Sequence, residues 1–155
     1  MLINSDLLAQ IIFEQKLNGK KVVFTNGCFD IIHSGHIYYL TEAKKLGDIL
    51  VIGLNTDNSV RRLKGENRPI NNQNDRAAVL SALRPVDFVC YFDEDTPLEL
   101  IKIINPDVLV KGADYSLENI VGADFVIANG GSVQTIQFIP NKSTTNIINK
   151  MRAEV

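Results

Sequence analysis

Lys21-Val22-Val23-Phe24-Thr25-Asn26-Gly27-Cys28-Phe29-Asp30-Ile31-Ile32-His33-Ser34-Gly35-His36 is the stretch that decides the fold. Residues 21–25 are β-branched and aromatic after the first lysine, with no polar alternation, the pattern of a strand buried on both faces. Residues 26–34 then read as a loop, and a helix is expected from Gly35 to about Leu46, ended by Gly47. The chain has two histidines, and both stand where strand hands over to helix. Residues three apart on a helix share a face, so both rings can point at one ligand. Gly35 between them lets a bulky group approach the backbone. A helix N-terminus offers unpaired N–H groups and a favourable dipole to an anion, so the stretch predicts a phosphate site.

Outward from this stretch the same alternation repeats. Ser5 or Asp6 is expected to cap a helix reaching Leu17. Residues 49–54 read as a second buried strand, 57–63 and 74–83 as helices, and 88–92 as a third strand. A helix over 96–104 with Pro97 at its first position precedes a fourth strand at 107–110. A helix over 117–128, a fifth strand at 132–136 and a helix over 143–151 complete the chain. Strands alternating with helices imply right-handed crossovers, and hence an α/β fold. The expected architecture is a Rossmann-like doubly wound parallel five-stranded sheet with helices on both faces. Ligands of such sheets bind outside the carboxyl ends of the strands. The segments following strands one, two and four (26–36, 55–57 and 111–114) are polar, which selects that edge.

Bulk properties bound the rest. A chain of 155 residues is expected to be one domain over 1–155, large enough to bury a core without metal or disulfide staples. The composition is 45% hydrophobic and 22% charged, and 16 basic against 18 acidic residues leave a net charge of −2. That balance carries no basic stripe, so no nucleic acid is expected as partner. No apolar run is long enough to span a membrane, and the N-terminus lacks a basic segment followed by an apolar one, so a cytoplasmic protein is expected. Cys28 and Cys90 are too few for a disulfide framework and fit a reducing compartment. No His/Cys/Asp/Glu cluster has the spacing of a metal site.

The run from Thr25 to His36 resembles the signature of the cytidylyltransferase-like nucleotidyltransferases, H-x-G-H after a strand ending in (T/N)-x-G-x-F-D. Asn55-Thr56-Asp57, the R-x-V-D-like Leu83-Arg84-Pro85-Val86-Asp87, and Lys142-Ser143-Thr144-Thr145 match further blocks of that family in order. Four more segments, at 62–70, 94–97, 110–115 and 128–131, resemble the D-glycero-D-manno-heptose 1-phosphate adenylyltransferases in their stand-alone form. The resemblance implies transfer of AMP from ATP to a heptose 1-phosphate, with Mg2+ carried by the ATP and a homodimeric enzyme. The alternatives are a cytidylyltransferase acting on glycerol 3-phosphate or a similar small alcohol phosphate, and a nucleotide-binding module without catalysis.

Roles follow residue by residue from the same resemblance. His33 and His36 would donate to the triphosphate, Lys64 would close over the phosphates, and Arg84 would bind them bidentately. For Lys64 the other reading is a solvated surface lysine, and for Arg84 a charge complementing a helix C-terminus. Arg76 faces the same choice as Arg84 with less support. Asn26, Gly27 and Phe29 would form the turn under the nucleotide, and Asp30 either orients a neighbour or caps the loop. Gly35, Asn55, Asp57, Lys111, Gly112 and Asp114 would line the nucleotide, with Asp114 accepting from a ribose hydroxyl or amino group. Ser143, Thr144 and Thr145 would offer hydroxyls and N–H groups to a phosphate. Cys28 reads as a small buried filler, since no step needs a thiolate.

Overall fold

A computed structural model of the chain describes residues 1–113, 117–137 and 143–153. Five parallel strands, β1 (Val22–Gly27), β2 (Ile49–Asn55), β3 (Phe88–Phe92), β4 (Val108–Gly112) and β5 (Ser132–Ile136), form one sheet in the order β3-β2-β1-β4-β5. Chain order runs outward from β1 in one direction and resumes at β4 on its other side. The topological switch point therefore lies between β1 and β4, where ligands of such sheets bind.

Alternating side chains of each strand feed two apolar layers, as the pleat requires. Val22, Phe24, Val51, Cys90 and Leu109 pack under α1 (Ser5–Leu17), α5 (Leu98–Ile104) and α6 (Ala123–Ala128). Val23, Leu50, Ile52, Val89, Val108 and Val110 pack under α2 (Ser34–Lys44) and α4 (Gln73–Ser81). α3 (Asp57–Lys64) follows β2 directly, and α7 (Thr144–Ala153) returns toward the β1–α2 loop. The expected doubly wound sheet with helices on both faces is the observed one. Among the described residues no helix is long and apolar enough to cross a membrane.

Departures from the expected boundaries have local causes. Asn4 caps α1, its side chain accepting from Leu7 N–H at 2.9 Å. Neither Ser5 nor Asp6 takes that place, because both are already helical. The helix expected over 117–128 is two pieces, a 3-10 turn at Leu117–Asn119 and then α6. Gly122 separates them at φ 86°, in the left-handed region, and a Cβ there would meet Ile101 Cδ1 at 2.7 Å. β1 and β4 run two residues further than the apolar pattern, through Asn26-Gly27 and Lys111-Gly112. Pairing with β2 and β5 carries these polar residues onto the sheet, because ladder hydrogen bonds take any side chain.

Candidate functional site

The carboxyl ends of the strands open into a cavity of about 440 Å3. Its floor is the switch point, with Asn26 and Gly27 from β1 beside Lys111 and Gly112 from β4. The Lys111 ammonium donates to Asn26 Oδ1 and so bridges the two strands. Asn55 lines the cavity from β2, next to β1, and Lys64 from α3 and Thr96 from the β3–α5 loop add to the wall. This volume lies in the range of small-molecule sites.

The β1–α2 turn shapes one wall. Phe29 adopts φ 45°, a left-handed conformation that a bulky side chain takes only where its surroundings impose it. Its ring lies over Gly27, where a Cβ would meet Phe29 Cε2 at 3.1 Å, and packs at 5.4 Å against His36. α2 then begins, with the His33 carbonyl accepting from His36 N–H at 2.9 Å. The two imidazoles stack, centroids 3.9 Å apart and planes 24° from parallel. His36 Nδ1 accepts a long contact of 3.4 Å from the His33 backbone N–H. That acceptor role puts the proton of the neutral ring on Nε2, the edge left to donate into the cavity. Burial and the charge of His33 push the His36 pKa down to about 4, so the ring is a neutral donor near pH 7. His33, expected to point at the same ligand, does not line the cavity; its ring stacks on that of His36.

The start of α7 divides its three hydroxyls among different tasks. Ser143 Oγ accepts from Asn146 N–H at 3.0 Å, an N-cap. Thr144 Oγ1 donates to Ile31 O at 3.1 Å, which ties α7 to the loop after β1 and sets Thr144 in the cavity wall. Thr145 is exposed and does not line the cavity.

Several residues expected to touch the nucleotide are turned to other work. The Asp30 carboxylate accepts from Ile70 N–H at 2.8 Å, Asn71 N–H at 2.9 Å and Arg68 Nε at 2.5 Å. Burial alone would raise its pKa; the two backbone donors and Arg68 outweigh it and hold the carboxyl below the usual range. Of the two roles left open for Asp30, the loop cap is the one realised. Asp57 pairs with Arg76 at 2.8 Å and is not part of the wall, while Gly35 is buried in the first turn of α2. Asn55 lines the cavity, with its Nδ2 donating to Ser59 Oγ at 2.9 Å. Asp114 lies outside the described residues.

Arg84 is the clearest correction. It precedes β3, so in a parallel sheet it stands at the amino edge, opposite the cavity. There it is exposed and lines a separate groove with Ile37, Thr41 and Lys45. The rest of its block closes that edge: Asp87 Oδ2 accepts from Leu50 N–H at 2.7 Å and Lys44 Nζ at 2.5 Å. Arg84→Ala is accordingly expected to change kcat/KM by less than about threefold in a pyrophosphate-release assay. A loss of about 100-fold would put Arg84 back among the phosphate ligands.

Other wall residues carried no role in the sequence. Asp95, Thr96 and Pro97 belong to a segment that matched by resemblance alone, and residues 119–121 gave no signal at all. Tyr39 was hidden as a core aromatic of α2; its hydroxyl meets Thr25 Oγ1 at 2.8 Å below the cavity. Cys28 lines the wall, and burial raises its thiol against the lowering charges of Lys64, Arg76 and Arg68, so it stays protonated.

Comparison with known proteins agrees with this fold. The model of the family described as cytidylyltransferase-like matches residues 24–150. The bifunctional protein HldE of Campylobacter fetus is 62% identical over 135 residues, 87% of this chain and 29% of that protein. HldE of Citrifermentans bemidjiense is 57% identical over 148 residues, 96% of this chain and 30% of its own length. This chain thus spans about 30% of the length of these relatives. The crystal structure of a lipopolysaccharide core biosynthesis protein from Thermoplasma volcanium superposes with a TM-score of 0.63 at 32% identity, covering 80% of this chain and all of that one. With the H-x-G-H turn at the start of α2, the switch-point cavity beside it and a family match from β1 into α7, this chain belongs to the cytidylyltransferase-like family.

Proposed function

We propose that the chain is one nucleotidyltransferase domain that transfers AMP from ATP to a heptose 1-phosphate, giving ADP-heptose and pyrophosphate. The observation that carries it is the cavity at the switch point, where the neutral His36 donor, Lys64, Lys111 and the threonine at the start of α7 share one wall system. An oxygen of the sugar phosphate attacks the α-phosphorus of ATP. The bond from that phosphorus to the bridging oxygen breaks, and the electron pair leaves on pyrophosphate. No covalent enzyme intermediate is needed, so the protein's task is to position the two phosphates and stabilise the charge moving onto the leaving group. His36 Nε2–H donates there without a proton having to be lost. Lys64, exposed at the end of α3 beside Gly65, supplies positive charge to the same cavity.

The wall's two carboxylates, Asp30 and Asp95, are both paired. Asp30 is engaged by Arg68 and two backbone N–H groups, and Asp95 by Arg62 at 2.9 Å. Among the described residues no group of three His/Cys/Asp/Glu side chains could hold a metal ion. The resemblance implies that Mg2+ arrives on the phosphate oxygens of the nucleotide, where it would offset charge on the polyphosphate.

The sugar is assigned from likeness to the heptose 1-phosphate adenylyltransferases, as are a homodimeric state and a cytoplasmic location. Pyrophosphate release from ATP or CTP across a panel of sugar and polyol phosphates tests the reading. Release with ATP and a heptose 1-phosphate is expected. Release with CTP alone would replace it by cytidylyl transfer, and release with no pair would leave a binding module.

A further inference from the structure

Among the described residues Arg76 is the largest side chain with almost no exposure, at 1%, too buried to meet a bound phosphate. Its guanidinium reaches three separate segments around the cavity. Nε donates to Asn71 O at 3.0 Å, Nη1 to Cys28 O at 2.7 Å and Nη2 to Asp57 Oδ1 at 2.8 Å. A buried guanidinium is tolerated only when its donors are satisfied, and here the acceptors come from the β1–α2 turn, the loop before α4 and the start of α3.

The contact with Cys28 O has a geometric consequence. The peptide between Cys28 and Phe29 is planar and trans, so the Phe29 N–H points opposite to the Cys28 carbonyl. The carbonyl is held toward Arg76 on α4, so the N–H is directed away from Arg76, within a turn whose Cys28 and Phe29 both line the cavity. None of the described residues accepts a hydrogen bond from that N–H. Phe29 itself sits at φ 45°, a conformation that relaxes if the peptide turns over.

We propose that Arg76 is a positioning residue: by holding the Cys28 carbonyl it fixes the strained Cys28–Phe29 peptide with its N–H aimed at the nucleotide phosphates. The proposal rests on the nucleotidyltransferase reading of the cavity and adds the group that preorganises its backbone donor. A donor held in place before substrate arrives lowers the barrier because it need not reorient during the reaction.

The test follows the Phe29 amide by nuclear magnetic resonance in the full chain while α,β-methylene-ATP with Mg2+ is added. In the wild type the Phe29 amide signal is expected to shift. In Arg76→Lys, which cannot keep three directed contacts, the shift is expected to fall by more than about half. With it kcat falls about 100-fold, while KM for the sugar 1-phosphate stays within about twofold. A Phe29 response in Arg76→Lys equal to that of the wild type would overturn the positioning role. A wild-type amide indifferent to the analogue would count against the nucleotide reading itself and remove the proposal with it. Circular dichroism checks the fold, and Arg76→Gln replaces the lysine variant if that does not fold. Unfolding of both would also overturn the proposal, making Arg76 a structural residue only.

Discussion

His36→Ala is expected to lower kcat for AMP transfer at least about 100-fold, the usual cost of removing one preorganised transition-state donor. The ring is held by α2 at its base and by stacking on His33 at 3.9 Å. Its loss therefore removes a donor without removing a wall. KM for ATP should rise less than kcat falls, because the leaving pyrophosphate gains its extra charge only as the reaction proceeds. A second signature separates this role from packing. Burial and the nearby His33 hold the folded pKa at about 4, below the ordinary 6.5 of an exposed ring. Between those values the unfolded chain binds a proton that the folded chain refuses, so His36 lowers stability as pH falls from 6.5 toward 4. At pH 5 that group alone costs about 2 kcal/mol. Urea unfolding of His36→Ala should show a shallower loss of stability over that window. Unchanged turnover with a lower melting temperature would make His36 a core residue.

Asp30→Ala is expected to have the largest effect on stability. The carboxylate is fully buried and closes the segment from Arg68 to Asn71 against the β1–α2 loop. Its removal strands two backbone N–H groups and one guanidinium donor, a loss of roughly 3 kcal/mol or more. For a chain of this size that corresponds to a fall in melting temperature of about 6 °C or more. The Asn71 side chain, which donates to Asp30 O at 2.7 Å, holds the same seam from the other side but cannot replace the carboxylate. The acid dependence has a defined sign. Because the folded pKa lies below the unfolded one, the contribution is complete above the unfolded value and disappears as pH falls through the folded value. Asp30→Asn, uncharged at every pH, should lack that low-pH component in thermal melts. An Asp30→Ala variant that melts with the wild type would show that the segment is held by something else.

How far the site was legible depended on how far apart its partners lie in the chain. The helix start at His33-Ser34-Gly35-His36 and the placing of Asn26, Lys111 and Gly112 directly after the apolar strand runs follow from period and order alone. Arg84 and Arg76 show where such reasoning stops. Both sit near the end or middle of one helix–turn segment, and either could serve a phosphate on paper. Arg84 falls at the amino edge because it comes just before β3, while Arg76 turns inward because α4 packs that face on the sheet. The same limit explains Asp30, whose partners are some 40 residues further on in the chain.

The amino-acid sequence by itself determined the alternation of buried strands and helices, the edge of the sheet where the cavity opens and the paired imidazoles at a helix start. Those features depend on hydrophobic period, turn residues and chain direction, which are local. Only the tertiary structure decided which polar groups face the cavity and which hold the walls in place. A buried carboxylate or guanidinium goes wherever its hydrogen bonds are completed, and those acceptors and donors come from segments that meet only when the sheet is assembled.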